Sequence, residues 1–406
     1  MQNTSELTIE RNLNTKYLAK TKAATSNRLA YIDVVRFILI IMVIMVHAAV
    51  TYGSAGSWTY VDSKSTNEMT SALLTFFVMY SQSFFMSLFF FFAGFFTPGS
   101  YDKKGALKFW KDRILHLGIP MVFYTFFLSR IPNYLDDVVS NGETASFWRY
   151  SVRTFISDAD EGPTWFLFAL LAFTIAYTIW RLISRSINNQ NHVPAKHVSA
   201  PNNLILIVVA FIMAAAMFTV GQILPIVEPV DIFGIFSLLM GFFPFYIIIF
   251  IGGILAYRNN WLEEMPKEML RFWKWFSLGL IVFLPVFIIT TGALEIGIDP
   301  YMSGMNWRCA IMSLWFGMAC ISFCTTLTLW MREKIHMGNQ LTSFLSLNTF
   351  TVYLIHPIVL VAFTVAIRNL VINPLIKFSL ASLFTVAACY LLAIIIRRIP
   401  LIKEIL

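Results

Sequence analysis

The chain has 406 residues, of which 58% are hydrophobic and only 13% are charged. Soluble domains average about 25% charged residues and about 45–50% apolar ones, so this composition excludes an ordinary soluble domain and indicates a membrane protein. The net charge of +8 does not indicate nucleic-acid binding, because the basic residues lie in short segments between apolar runs.

The first 28 residues are polar and basic and contain no apolar core. A cleavable signal peptide needs such a core, so this segment is not expected to be one. We expect residues 1–30 to form a cytoplasmic tail. The four cysteines, which all fall inside apolar runs, are expected to pack as small apolar side chains without disulfides.

Ten apolar runs are each long enough to cross a bilayer. They cover residues 33–53, 72–97, 114–131, 163–184, 203–224, 234–257, 274–292, 306–330, 344–367 and 375–396. Lysine and arginine dominate every second connection, and the others carry mostly acids, as the positive-inside rule requires. Five arginines break this pattern by lying on the acidic side: Arg130, Arg149, Arg153, Arg308 and Arg368. We therefore predict an all-α polytopic membrane protein with a transmembrane domain over residues 31–398, a short cytoplasmic tail at 399–406 and both termini in the cytoplasm.

The first run contains an arginine, Arg36, and a histidine, His47, with ten residues between them. Eleven steps make about three helical turns, so both side chains face the same way, roughly 16 Å apart along the axis. Asp33 lies near the same stripe. Because ionisable groups are costly inside a membrane, we favour a site for a long ligand with an anionic head. The alternative is that Arg36 anchors the helix at the headgroups and that His47 only bonds between helices.

A dense basic segment follows the second run and is suited to holding phosphates. It contains Lys103, Lys104, Lys108, Lys111, Arg113 and His116. The alternative is a plain topology anchor.

Two later segments also stand out. Trp165 opens the fourth run, where it is a candidate for stacking on a sugar ring or for an aromatic belt at the membrane interface. Tyr353 and His356 share one face of the ninth run, and Pro357 loosens the backbone beside them. A purely structural hydrogen bond is the alternative for His356. Arg308, beside Trp307, opens the eighth run on the side that carries mostly acids.

Together these residues resemble the membrane acyltransferase-3 family over nearly the whole chain. The resemblance rests on Arg36-x₁₀-His47, Arg113 before Pro120, the Trp165-Phe-Leu run, Asn306-Trp307, Tyr353-Leu-Ile-His356-Pro357 and Arg397-Arg398-Ile399-Pro400. Many members carry a second arginine where this chain has His116, and this departure weakens a strict two-arginine phosphate clamp.

The resemblance implies an enzyme that moves an acyl group, often acetyl, from coenzyme A to a carbohydrate or glycolipid beyond the bacterial inner membrane. It makes His47 the catalytic base and places the donor phosphates at Arg36, Arg113, Lys111 and His116. Asp33, Tyr353 and His356 then support the site, and Trp165 and Arg308 face the acceptor. No metal and no permanently bound cofactor is expected.

Three alternatives remain at this point. A transporter or exporter of a sugar-linked substrate also uses intramembrane charges, but no inverted repeat is visible. A membrane-bound O-acyltransferase of the unrelated fold leaves the first-helix pattern unexplained, and a structural scaffold leaves Arg36, His47 and His356 without a reason. The sequence does not identify the acceptor, the acyl group or the oligomeric state. It also leaves open whether transfer is direct or passes through an acyl-histidine intermediate.

Overall fold

The computed structural model describes residues 30–62, 66–157, 159–188, 197–224, 226–336 and 338–405. Within these residues, ten helices are long and apolar enough to cross a membrane. The predicted all-α polytopic fold is confirmed. The predicted N-terminal tail lies almost entirely outside the described residues.

The spanning helices alternate with short connections. In chain order the elements are α1 (Ala30–Thr51), α2 (Glu68–Lys104), α3 (Ala106–Asn141), α4 (Phe147–Arg153), α5 (Trp165–Asn188), α6 (Asn203–Val220), β1 (Val230–Ile232), β2 (Phe236–Leu238), α7 (Phe243–Arg258), α8 (Trp261–Glu264), α9 (Glu268–Thr290), α10 (Ala293–Ile296), α11 (Asp299–Met302), α12 (Trp307–Lys334), α13 (Gln340–Ala366), α14 (Pro374–Ile396) and α15 (Pro400–Ile405). Short 3₁₀ turns at Gly162–Thr164 and Met240–Phe242 lead into α5 and α7.

Two spans differ in length from the apolar runs that predicted them. The run at 114–131 is the middle of α3, whose helix extends to both sides and contains three π-helical turns. The run at 234–257 begins too early, because β1 and β2 pair antiparallel over residues 230–238. Phe233 and Gly234 between these strands have φ angles of 59° and 67°, which a right-handed helix excludes.

Asparagine caps fix where five of the spanning helices begin. The side-chain oxygens of these residues accept hydrogen bonds from backbone N–H groups in the first turn, which have no partner within the helix. The caps are Asn67, Asn202, Asn306, Asn339 and Asn373. Helix starts are therefore encoded locally, although the apolar runs alone did not show them.

The helix α1 lies at the centre of the bundle, against α2, α12, α13 and α14. Helices α2 and α7 pack closely, because two glycines let their backbones meet. A Cβ on Gly94 would lie 2.2 Å from the Phe250 carbonyl oxygen, and one on Gly253 would lie 2.1 Å from that of Phe91. Small residues allow such close helix packing in membranes, where no hydrophobic force drives helices together.

The connections define two ends of the bundle. We call one of them the basic end. It holds the connections at 104–106, 188–203, 258–268 and 334–340 and the segment after 396. The opposite end, which we call the acidic end, holds the connections at 51–68, 141–165, 220–243, 290–307 and 366–374. At the basic end the Asp102 carboxylate lies 2.8 Å from Arg181 and 2.5 Å from Arg258. This ion cluster joins α2, α5 and α7.

Candidate active site

Two aromatic rings from other parts of the chain lie against the imidazole of His47, which is one turn before the end of α1. The indole of Trp58, in the connection between α1 and α2, stacks on the His47 imidazole with the ring centroids 3.7 Å apart. The imidazole of His356, on α13, lies 5.4 Å from that of His47 and nearly parallel to it. His47 keeps part of its surface accessible, whereas His356 has none.

The hydrogen bonding of His356 fixes its protonation pattern. Its Nδ1 lies 2.6 Å from the backbone carbonyl oxygen of Tyr353. A carbonyl oxygen only accepts, so Nδ1 carries the proton and Nε2 carries a lone pair. Nε2 is buried and has no hydrogen-bond partner in the described part of the chain. His356 thus presents a buried acceptor close to His47.

Tyr353 joins this site to the start of α5. Its hydroxyl donates a short hydrogen bond to the Pro163 carbonyl oxygen. The Phe166 ring lies 6.3 Å from the Tyr353 ring. Trp165 packs toward Phe90 and Tyr246, with ring centroids 6.5 and 5.8 Å away. Trp165 is therefore half-buried in an aromatic cluster of the bundle, and its predicted acceptor-side role stays a prediction.

Near the basic end, Arg36 and Arg113 contact neighbouring residues of α2. The Arg36 guanidinium lies 5.3 Å from the centre of the Phe96 ring. Arg113 contacts the next residue, with 3.5 Å between its Nη2 and the Thr97 hydroxyl. Two predicted donor-binding arginines from different helices thus contact consecutive residues. Asp33, one turn before Arg36, accepts a hydrogen bond of 2.8 Å from Ser346 on α13.

The other two predicted donor-binding residues are more peripheral. Lys111 and His116 are both exposed on α3. The His116 Nδ1 lies 2.9 Å from the Ile405 carbonyl oxygen on α15. Their position at the basic end fits the predicted role, but the described contacts do not bring them to Arg36.

Arg308 lies at the acidic end. Its guanidinium stacks on Trp307, 4.8 Å from the ring centre, and donates to the Thr291 carbonyl oxygen over 3.3 Å. These contacts hold it to the connection between α9 and α12. Its acceptor-side role stays a prediction.

Within the described residues, no group of three or more His, Cys, Asp or Glu side chains is arranged to hold a metal ion. His192 lies outside the described residues, and His197 pairs with Glu264 at 3.0 Å. All four cysteines are buried and free.

Sequence reasoning missed Trp58 and Lys377. Lys377 lies inside the predicted span at 375–396, and a charge within an apolar run indicates function or a buried partner. Its partner is Asp62, four residues after Trp58, with the Lys377 Nζ and the Asp62 carboxylate 2.7 Å apart. Trp58 lies in the connection that follows His47, and only its contacts single it out.

A family model settles what kind of protein this is. The model described as an acyltransferase domain, that of the acyltransferase-3 family, matches residues 29–394. The chain belongs to the acyltransferase-3 family. It is an O-acyltransferase embedded in a membrane by about ten helices.

Similar bacterial proteins cover nearly the same length. Glucans biosynthesis protein C of Salmonella heidelberg is 24% identical over 386 residues, which are 92% of this acyltransferase and 93% of that relative. The protein of the same name from Escherichia coli is 23% identical over 384 residues, or 92% of each chain. No solved structure matches the chain.

Proposed function

We propose that this acyltransferase takes an acyl group, typically acetyl, from acyl-coenzyme A at its basic end and transfers it to a carbohydrate hydroxyl on the opposite side of the membrane. The observation that carries this proposal is the placement of Arg36 and His47 on one central helix. Arg36 is near the basic end and His47 is near the acidic end, beside two further aromatic rings.

The orientation rests on charge. Lysine and arginine stay on the side of synthesis, so the basic end faces the cytoplasm and both termini lie there. In a bacterium this membrane is the inner membrane. Acyl-coenzyme A is cytoplasmic, and its charged nucleotide does not cross a bilayer, so donor and acceptor approach from opposite ends.

The donor phosphates bind at the basic end. Guanidinium groups are suited to phosphate because they donate paired, charge-assisted hydrogen bonds. Arg36 and Arg113 lie against Phe96 and Thr97, and Lys111 and His116 add charge at the rim. The rise of α1 from Arg36 to His47, roughly 16 Å, is a suitable reach for the pantetheine arm.

The transfer takes place at His47. As a general base it accepts the proton of the acceptor hydroxyl, whose oxygen forms a bond to the thioester carbon. The carbon–sulfur bond then breaks, and the sulfur leaves with the proton from His47 as the coenzyme A thiol. His356 Nε2 is a lone-pair acceptor close to His47, where it orients the His47 ring.

The acceptor enters from the acidic end. The similar bacterial proteins are named for glucans biosynthesis, so a hydroxyl of a glucan is our first candidate. Trp165 and Arg308 are the proposed acceptor-side residues. The reaction needs no metal and no cofactor other than the donor.

The test measures binding and slow hydrolysis of acetyl-coenzyme A by the purified protein in detergent. Arg36→Ala should bind the donor weakly, and His47→Ala should bind normally but lose turnover by about 10²–10⁴-fold. Matched controls are Arg153→Ala and His197→Ala, at exposed ion pairs, which should behave as wild type.

Two results would refute the proposal. If wild type binds no acyl-coenzyme A but moves a glycan across vesicles, the transporter alternative is correct. If His47→Ala turns over normally, His47 is not the base.

A further inference from the structure

The indole N–H of Trp58 is an unused hydrogen-bond donor beside His47. Its Nε1 atom is buried and has no partner in the described residues, although its ring stacks on His47 at 3.7 Å. A buried donor without a partner costs free energy, so native proteins seldom leave one unpaired. An unpaired donor beside a reactive side chain indicates that its hydrogen-bond acceptor is a group of the substrate.

The connection that carries Trp58 is fixed to the bundle on both sides of the indole. Before it, the Ser71 hydroxyl donates to the Gly53 carbonyl oxygen over 2.5 Å. After it, the Asp62 backbone N–H donates to the Thr51 carbonyl oxygen over 2.8 Å, and its carboxylate pairs with Lys377. The donor is therefore held in place before substrate binds, which electrostatic catalysis requires.

The two unpaired atoms beside His47 can each make only one kind of hydrogen bond. Trp58 Nε1 can only donate, and His356 Nε2 can only accept, since its Nδ1 is bonded to Tyr353. A thioester carbonyl oxygen only accepts, so of these two atoms only the Trp58 N–H can pair with it. The attacking hydroxyl gives its one proton to His47, the general base of the proposed function.

We propose that Trp58 is a catalytic residue whose indole N–H donates to the thioester carbonyl oxygen. This inference rests on the proposed function. When the hydroxyl oxygen attacks the thioester carbon, the carbonyl electron pair moves to that oxygen, which becomes negative. The Trp58 N–H stabilises this charge until the carbon–sulfur bond breaks and the double bond re-forms, while His47 carries the proton from the hydroxyl to the sulfur.

Two other roles for Trp58 make different predictions. A ring that only supports His47 by stacking needs its aromatic face and not its N–H. A ring that orients the sugar acts on transfer to the sugar but not on hydrolysis by water. The carbonyl oxygen is common to both reactions, so a donor to it affects them equally.

The experiment compares hydrolysis of acetyl-coenzyme A with transfer to a glucan oligosaccharide in two variants. Trp58→Phe keeps an aromatic face without the N–H. Replacing Trp58 with benzothienylalanine keeps the bicyclic ring and exchanges N–H for sulfur, which preserves the packing if phenylalanine does not. Trp275→Phe, at an exposed position on α9, is the matched control.

We expect both position-58 variants to lose about 10²–10³-fold in kcat for hydrolysis and for transfer alike, as removal of one oxyanion donor does elsewhere. The donor KM and the melting temperature should stay near those of wild type.

The inference is overturned if the benzothienylalanine protein retains wild-type kcat, or if only transfer falls. Failure of the proposed function itself looks different, because the wild-type protein then releases no coenzyme A.

Discussion

Lys377 and Asp62 lie 315 residues apart in the sequence and form an ion pair with almost no exposed surface. The pair joins α14 to the connection that carries Trp58, and the Lys377 Nζ also donates to the Arg368 carbonyl oxygen over 3.3 Å. It therefore holds the acidic end together beside the candidate active site.

Removing one partner of this pair should unfold the site. Lys377→Met leaves the Asp62 carboxylate buried without its counter-charge, which costs about 3–5 kcal/mol. We expect a large fall in the melting temperature in detergent and loss of turnover. Asp62→Leu combined with Lys377→Met should recover part of the stability, since two apolar side chains can replace a buried pair.

The control is Lys104→Met, which removes a pair with Asp112 at the exposed surface of the basic end. Its melting temperature should be unchanged. Equal losses in the two single variants would contradict the importance of burial at Lys377.

Adjacent glycines on α7 should differ sharply in tolerance to alanine. A Cβ at Gly253 would lie 2.1 Å from the Phe91 carbonyl oxygen on α2, whereas a Cβ at Gly252 would meet nothing within 4 Å. Gly253→Ala should destabilise the protein by about 1–3 kcal/mol through overpacking, and Gly252→Ala should be neutral. Melting curves of the two variants decide this, and equal curves would show that α2 and α7 are not in close contact.

The arginines at the basic end should control donor affinity and not chemistry. Charge-assisted hydrogen bonds contribute about 1.5–3 kcal/mol each, so Arg36→Ala and Arg113→Ala should each raise the donor KM by roughly 10–100-fold. At saturating acyl-coenzyme A their kcat should approach that of wild type. A normal KM with a reduced kcat would instead place the arginine in the chemical step.

The two nitrogens of His356 can be tested separately. Asparagine places its amide nitrogen near the position of Nδ1, where it can still donate to the Tyr353 carbonyl oxygen, but it has no equivalent of Nε2. We expect His356→Asn to fold as wild type and to lose turnover, and His356→Ala to lose both stability and turnover. Should His356→Asn turn over normally, the histidine has only a structural role.

Glu161 should make stability depend on pH. It lies just before α5, and its carboxylate accepts a hydrogen bond from the Ser237 backbone N–H over 2.7 Å. Burial raises the pKa of this carboxyl from 4.5 to about 7. A raised pKa means that the folded state holds the proton more tightly than the unfolded state. The contribution of the Glu161 carboxyl to the free energy of unfolding is therefore present below pH 4.5 and is lost as the pH rises through about 7.

Glu161→Gln is uncharged at every pH, and its side-chain oxygen can still accept from Ser237. Relative to this variant, the melting temperature of wild type should fall between pH 4.5 and about 7 and then level off. If the melting temperatures of the two proteins change with pH in parallel, the Glu161 carboxyl is not buried.

The sequence by itself determined the class of fold and the first half of the site. Long apolar runs have only one stable form in a bilayer, because helices satisfy every backbone hydrogen bond internally. Helical periodicity alone placed Arg36 and His47 on one face of α1. Local chemistry also determined where helices begin, as the asparagine caps show.

Only the tertiary structure decided which side chains surround His47. Trp58 and His356 reach it from a connection and from α13, and no periodicity links residues so far apart in the chain. Lys377 was visible as a charge in an apolar run, but its partner Asp62 was not, since an ion pair is specified by which helix ends meet. The hairpin at 230–238 likewise escaped, because left-handed backbone at Phe233 and Gly234 leaves no trace in hydrophobicity.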